Sequence, residues 1–330
     1  MKKFINVLSA FIMGAALLTG CGGQEAPINQ EQSADKVNIV CTTFPQYDWV
    51  MNLLGEEIDA FDVTLLVKNS ADIHNYQPSA QDMISMKTAD LFIYVGGESD
   101  AWVADLMSSD TVLSDKSVSL VGALGDDALV EEILEGMEHD HEHEHDEEHE
   151  HETLDEHVWL SLENAEILCQ YIAGRLCELA PEHETAIQDN TIAYIEELHA
   201  LSVEYQTVVD ESAHNALIFG DRFPFRYLTE DYDLEYYAAF AGCNAEVEAG
   251  FDTIIYLAGK VDELGVPCIL VIDGSDKSLA GTILNTAESG NQEILVLDSM
   301  QSVSWEDIRQ GANYIDIMKA NLEVLRKALG

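Results

Sequence analysis

Basic residues are scarce in this chain. Its 330 residues carry 15 lysines and arginines against 62 aspartates and glutamates, a formal charge of −47 with histidine neutral. Only five arginines occur (Arg175, Arg222, Arg226, Arg309 and Arg326), none in a basic run, so the clustered cations that neutralise phosphates are missing and nucleic-acid binding is excluded. There is no Gly-x-x-x-x-Gly-Lys-Ser/Thr, hence no nucleotide hydrolysis by a P-loop. The His-Glu-x-x-His pattern of a common class of zinc hydrolases is absent, and so is the paired Cys-x-x-Cys of a zinc ribbon. Beyond the amino terminus no run of about 18 apolar residues occurs, so the rest of the chain is not membrane-embedded.

What is present begins with an address. Residues 1–21 read as two lysines, a short apolar stretch and Leu18-Thr19-Gly20-Cys21, a secretory signal whose end resembles the lipobox of bacterial lipoproteins. Cleavage before Cys21 would leave that residue as a lipid-bearing amino terminus. Residues 22–36 are polar and patternless, a flexible tether with a reach of about 20 Å. The expected location is the outer face of the cytoplasmic membrane.

With 47% apolar and 8% aromatic residues the chain can build a core despite its charge. Short apolar runs at 37–41, 63–67, 91–95, 118–121, 216–219, 236–240, 268–272 and 294–297 alternate with helix-length segments. That alternation predicts buried parallel strands in α/β layers, four in each half. Between the halves, Ile187, Thr191, Tyr194, Leu198, Leu201, Tyr205 and Val208 step by four and three, which predicts one long, stiff helix over 182–210. Ser304, with Asp307 three residues on, starts a final amphipathic helix carrying Ile308, Ile315, Met318, Leu322 and Leu325. The expected organisation is a signal peptide at 1–21, a tether at 22–36, a first lobe at 37–180, a connecting helix at 181–211 and a second lobe at 212–330. Cys169 and Cys177 fall about 12 Å apart on one helix, too far to bridge, whereas Cys243 with Cys268 stays open.

One segment departs from this pattern. Residues 138–152 contain only Glu, Asp and His, nine acids with six histidines (His139, His141, His143, His145, His149 and His151). Acid alone is better explained as solvated surface. Alternation with imidazole points to weak, multiple and exchangeable metal sites.

Ligands of open parallel sheets bind beyond the strand carboxyl ends. There the sequence places His74 after the second strand and His157 after the histidine-rich segment, and in the second half Asp221, Cys243, Glu246 and Asp298. Two imidazoles and carboxylates converging between lobes suit Zn²⁺ well and Mn²⁺ acceptably. Each residue taken singly has a plainer reading: a loop histidine at the surface, Asp298 and Asp273 as helix caps, Trp159 as core packing.

His74-Asn75-Tyr76-Gln77-Pro78 with Asp82, Asp155-Glu156-His157-Val158-Trp159-Leu160 with Asn164, and Gly96-Gly97-Glu98 with Trp102 together resemble the zinc and manganese solute-binding lipoproteins of ABC importers, the family of ZnuA and the streptococcal adhesin-type lipoproteins. The resemblance covers the chain from about residue 37 onward. Glu156 and Ser161 depart from the family's Pro and Asp in the second motif. It implies two similar α/β lobes, each with a roughly four-stranded parallel sheet flanked by helices, joined by one long rigid helix, with metal in the inter-lobe cleft. It further implies a monomeric, non-enzymatic protein that captures Zn²⁺ and delivers it to a separate permease whose ATPase subunit lies on the cytoplasmic side. His74, His157 and Asp298 match ligand positions of the family. Its third ligand falls at Gly220, which has no side chain to donate, so that place passes to Asp221, Glu246, Cys243 or water. A Mn²⁺ importer component, a metal-dependent adhesin and a metallohydrolase are the alternatives.

Overall fold

The computed structural model of the chain describes residues 36–68, 76–109, 111–138, 153–242 and 249–330. Among them, β1 (Val37–Cys41), β2 (Phe61–Leu65), β3 (Leu91–Tyr94) and β4 (Ser117–Ser119) form a parallel sheet in the order β2-β1-β3-β4. A second parallel sheet repeats that order as β6-β5-β7-β8, from β5 (Ala216–Phe223), β6 (Glu235–Ala241), β7 (Cys268–Ile272) and β8 (Glu293–Leu297). The helices are α1 (Phe44–Leu54), α2 (Ala80–Thr88), α3 (Ala101–Ser109), α4 (Thr111–Asp115), α5 (Leu120–Leu124), α6 (Leu162–Leu179), α7 (Glu184–Glu211), α8 (Arg226–Asp231), α9 (Phe251–Leu264), α10 (Ser278–Thr286), α11 (Trp305–Arg309) and α12 (Tyr314–Leu329).

All eight predicted strands are in place. The second begins two residues earlier than its apolar run, because Phe61 pairs with Val37 and exposed Asp62 is tolerated on an edge strand. Central strands are buried on both faces, the property that makes parallel strands continuously apolar. In β1, Ile39 and Cys41 join a core shared by both lobes while Val40 faces an outer cluster with Phe92 and Met86. In β5, Leu217 and Phe219 join the shared core while Ile218 packs with Leu257, Ile269 and Ala280.

The predicted stripe on α7 is its buried face, residue for residue, and the 28-residue helix runs about 42 Å. A 3₁₀ turn, Pro181–His183, leads into it. It packs on α6, α1 and α12, so both lobes share one spine.

The single final helix is corrected to two. Ser304 and Asp307 form the expected capping box, but α11 stops at Arg309, Gly311 takes φ +101, and Asn313 caps a new helix, α12. The apolar spacing continued through a break that glycine and the second cap impose. Cys268 is a free thiol, buried at the amino end of β7; Cys243 lies outside the described residues. Among the described residues no helix is long and apolar enough to cross a membrane.

Buried polar groups tie the lobes. Trp159 Nε1 donates to Ser299 O at 2.9 Å, the Tyr314 hydroxyl donates to Trp159 O at 2.6 Å, and Tyr314 N–H donates to Asp48 Oδ2 of α1 at 3.1 Å. These bonds set the loops beyond β8 against the segment that carries His157.

Candidate metal centre

His157 is fully buried, and the two residues before it explain why it can be. Asp155 Oδ1 accepts from the His157 backbone N–H at 2.8 Å and meets its ring Nδ1 at 2.9 Å. That pairing favours the proton on Nδ1 and the lone pair on Nε2, the tautomer a metal requires of an imidazole held by a carboxylate. The Trp159 ring packs edge-on at 5.3 Å, fixing the imidazole plane. Asp155 is itself placed by Tyr227, whose hydroxyl donates to Asp155 O at 2.9 Å. After the 3₁₀ turn Val158–Leu160, Ser161 caps α6 by accepting from Asn164 N–H at 2.9 Å.

Glu156 turns away from the histidine. Its Oε2 accepts from Ser99 N–H at 2.9 Å and from the Ser99 hydroxyl at 2.7 Å. A Cβ on Gly97 would lie 2.3 Å from Glu156, so the Gly96-Gly97-Glu98 turn supplies the room that this glutamate fills.

Asp298 follows β8. Its backbone is gripped from both sides by Asn321 of α12, with N–H to Oδ1 and Nδ2 to O both at 2.8 Å, and its Oδ1 accepts from Met300 N–H at 2.7 Å. It is not a helix cap. Burial, reinforced by the neighbouring Asp273 charge, pushes its carboxyl up to about 6. Asp273 is no cap either: it accepts from Ser299 N–H at 2.7 Å and from the Ser299 and Ser302 hydroxyls, which folds the 299–302 loop against Trp159. Between His157 and the second lobe stands Glu131, whose carboxyl is pushed up to about 7 by burial and by Asp155, with His157 pulling the other way. Its oxygen abuts Gly242, where a Cβ would meet it at 2.2 Å.

Asp221 lies in an irregularity of β5 between Phe219 and Arg222. Its Oδ1 accepts from Arg222 N–H at 2.9 Å, and its Oδ2 is buried without a hydrogen-bond partner among the described residues. An orphaned carboxylate oxygen is what a cation would satisfy. Gly220 has another role than a vacant ligand place. A Cβ there would strike Ala280 Cα at 2.7 Å and Ala280 Cβ at 2.8 Å, so this face of β5 is closed by α10 and fits no donor side chain.

The structure thus brings the His157 and Asp298 segments together through Trp159 and Ser299. Among the described residues no three His, Cys, Asp or Glu side chains converge as a metal cage. His74, Cys243, Glu246, the six tract histidines and Cys21 lie outside the described residues. Nothing in the sequence marks Asn321, Tyr227 or Glu131, whose roles arise from long-range contacts, and Asp273 reads there only as a helix cap.

Comparison with known proteins adds four findings. The family model of the periplasmic zinc-uptake complex component A, ZnuA, matches residues 39–328. The zinc-binding lipoprotein AdcA of Streptococcus pneumoniae serotype 4 is 29% identical over 99% of this chain and 61% of its own length. This chain therefore spans about three fifths of that relative. The high-affinity zinc uptake system protein ZnuA of Bacillus subtilis is 28% identical, covering 97% of this chain and 96% of that one. In structure, the Zn(II)-bound ZnuA-like domain of Streptococcus pneumoniae AdcA matches with a TM-score of 0.68 at 27% identity, over 89% of this chain and 99% of the other. With two parallel sheets of identical order sharing one long helix, and a family model spanning nearly all of it, the chain belongs to the ZnuA family of zinc-uptake components.

Proposed function

We propose that this protein captures Zn²⁺ outside the cytoplasmic membrane and hands it to a separate ABC permease, without catalysing a reaction. The observation that carries this reading is His157: a fully buried imidazole held through Nδ1 by Asp155, beside a loop that presents Asp298. Burying an imidazole with that tautomer fixed suits a ligand better than a general base, which needs access to a substrate proton. His74, His157 and Asp298 are the ligands, with Asp221 or Glu246 completing the set. The buried, unpartnered Oδ2 favours Asp221. The names of the relatives support zinc as cargo, and Mn²⁺ is the competing ion for the same mixed nitrogen and oxygen donors.

In this reading residues 1–21 are the signal, Cys21 carries the lipid, 22–36 tether the body to the membrane, and the lobes at 37–180 and 212–330 flank the helix at 181–211. The tract histidines raise the local zinc concentration, while the cleft supplies affinity. The test is metal stoichiometry and competitive affinity of the mature protein with residues 139–152 replaced by an equally long Gly/Ser segment. One tightly bound zinc should remain, and it should be lost when His74 and His157 are both changed to alanine. Tight binding that disappears with the tract, or survives the double substitution, overturns the assignment.

A further inference from the structure

Residues 129–138 precede His157 in the chain yet end on the second lobe. At their start, Leu129 N–H donates to the Tyr227 hydroxyl at 3.0 Å, the same hydroxyl that holds Asp155 O. Asp155 N–H donates to Leu129 O and Glu131 N–H to Thr153 O, both at 2.8 Å, so this strap pairs antiparallel with the segment leading to His157. In its middle, Glu132 accepts from the Tyr236 hydroxyl at 3.0 Å and lies 3.5 Å from Arg226 Nε.

The far end is fastened by Glu138. Its N–H donates to Ala239 O of β6 at 2.9 Å. Its Oε1 accepts from Gly250 N–H at 2.6 Å and lies 2.8 Å from the Thr253 hydroxyl, which is equally close to Gly136 O. Gly250 is the N-cap of α9 and has no side chain to cap with. Glu138 therefore sets a carboxylate against the start of α9 from 112 residues away, bonded to the N-cap N–H and the Thr253 hydroxyl, with a charge the helix amino terminus favours.

We infer that the strap is a clasp that holds the His157 segment to the second lobe, and that Glu138 is its positioning residue. Separating the lobes must break the Glu138 bonds or drag the His157 segment along. Its effect on zinc rests on the proposed ligand role of His157; its effect on the strap does not.

The test compares Glu138→Ala, Glu138→Gln and Thr253→Val in the full mature chain. Backbone amide exchange is measured on the metal-free protein, and zinc release on the loaded protein in excess chelator. Glu138→Ala should speed exchange at Gly250, Glu131 and Asp155 about tenfold relative to α7 amides, and speed zinc release by about the same factor. Glu138→Gln keeps the acceptor oxygen and should stay within about twofold of wild type. Thr253→Val removes one donor, should fall between them, and carries the test if Glu138→Ala does not fold. Unchanged exchange at Glu131 and Asp155 in the folded variants, or Glu138→Gln as fast as Glu138→Ala, overturns the clasp. Accelerated exchange with unchanged zinc release upholds the clasp and overturns instead the ligand role of His157.

Discussion

Replacing Asp48 by asparagine should stabilise the metal-free protein at pH 8 and do so less at pH 5. Asp48 lies on α1, and its Oδ2 accepts from Tyr314 N–H and from Asn52 Nδ2, each at 3.1 Å. Those two bonds favour the carboxylate, but burial outweighs them and Asp316 adds repulsion, so the carboxyl is pushed from 3.8 up to about 6. A group whose folded value exceeds its unfolded value contributes stability that is complete below the unfolded value and lost as pH rises through the folded one. For Asp48 that window runs from about pH 4 to about pH 6. Two pH units at about 1.4 kcal/mol each give about 3 kcal/mol at pH 8, and about half of that at pH 5. The asparagine oxygen keeps the acceptor for Tyr314 and carries no charge, so the variant should lack this part of the slope. The assay is denaturant unfolding in the presence of a chelator, comparing variant with wild type at both pH values. The difference between proteins cancels the general relief of repulsion that acid brings to so acidic a chain. A variant no more stable than wild type at pH 8, or one whose advantage grows on acidification, would refute the argument.

Four further outcomes are expected. Asp155→Asn leaves the His157 ring without its anionic partner and should weaken zinc binding about 10- to 100-fold in a chelator competition, with the fold retained. Gly220→Ala presses a methyl group against the Ala280 backbone and should cost about 1–3 kcal/mol of unfolding free energy. Gly220→His should cost more without tightening zinc binding; tighter binding would show that residue 220 can face the cleft. Because histidine must be neutral to ligate, zinc affinity should fall as pH drops through about 6.5, opposite in sign to the Asp48 effect on metal-free stability, and affinity flat from pH 7.5 to 5.5 would argue against imidazole ligands.

The strands and the spine were legible because burial leaves a periodic trace. Leu217 and Phe219 on one face of β5 with Ile218 on the other make a continuous apolar run, and the α7 stripe follows from one buried face. The break at Gly311 was hidden because Ile308 and Ile315 keep helical spacing across it. Of the candidate centre, the His157 motif and Asp298 stand out in the sequence as proposed ligands. The parts that hold them could not: Asn321 gripping Asp298, Asp273 folding the 299–302 loop and Tyr227 bridging Leu129 to Asp155 each join residues far apart in sequence, and a single polar contact has no period. Gly220 is a related case. Alignment to a motif assigns a position, whereas the direction of a side chain depends on the β5 irregularity beside it.

The pairing of Glu131 with Thr153, together with Glu138 on α9, also makes residues 139–152 a natural port for insertion. Both flanks are secured by bonds that do not depend on what lies between them. A longer histidine-rich tract, or a fluorescent reporter domain, could be spliced there while the sheets and spine stay as they are, which would give the fold a genetically encoded signal.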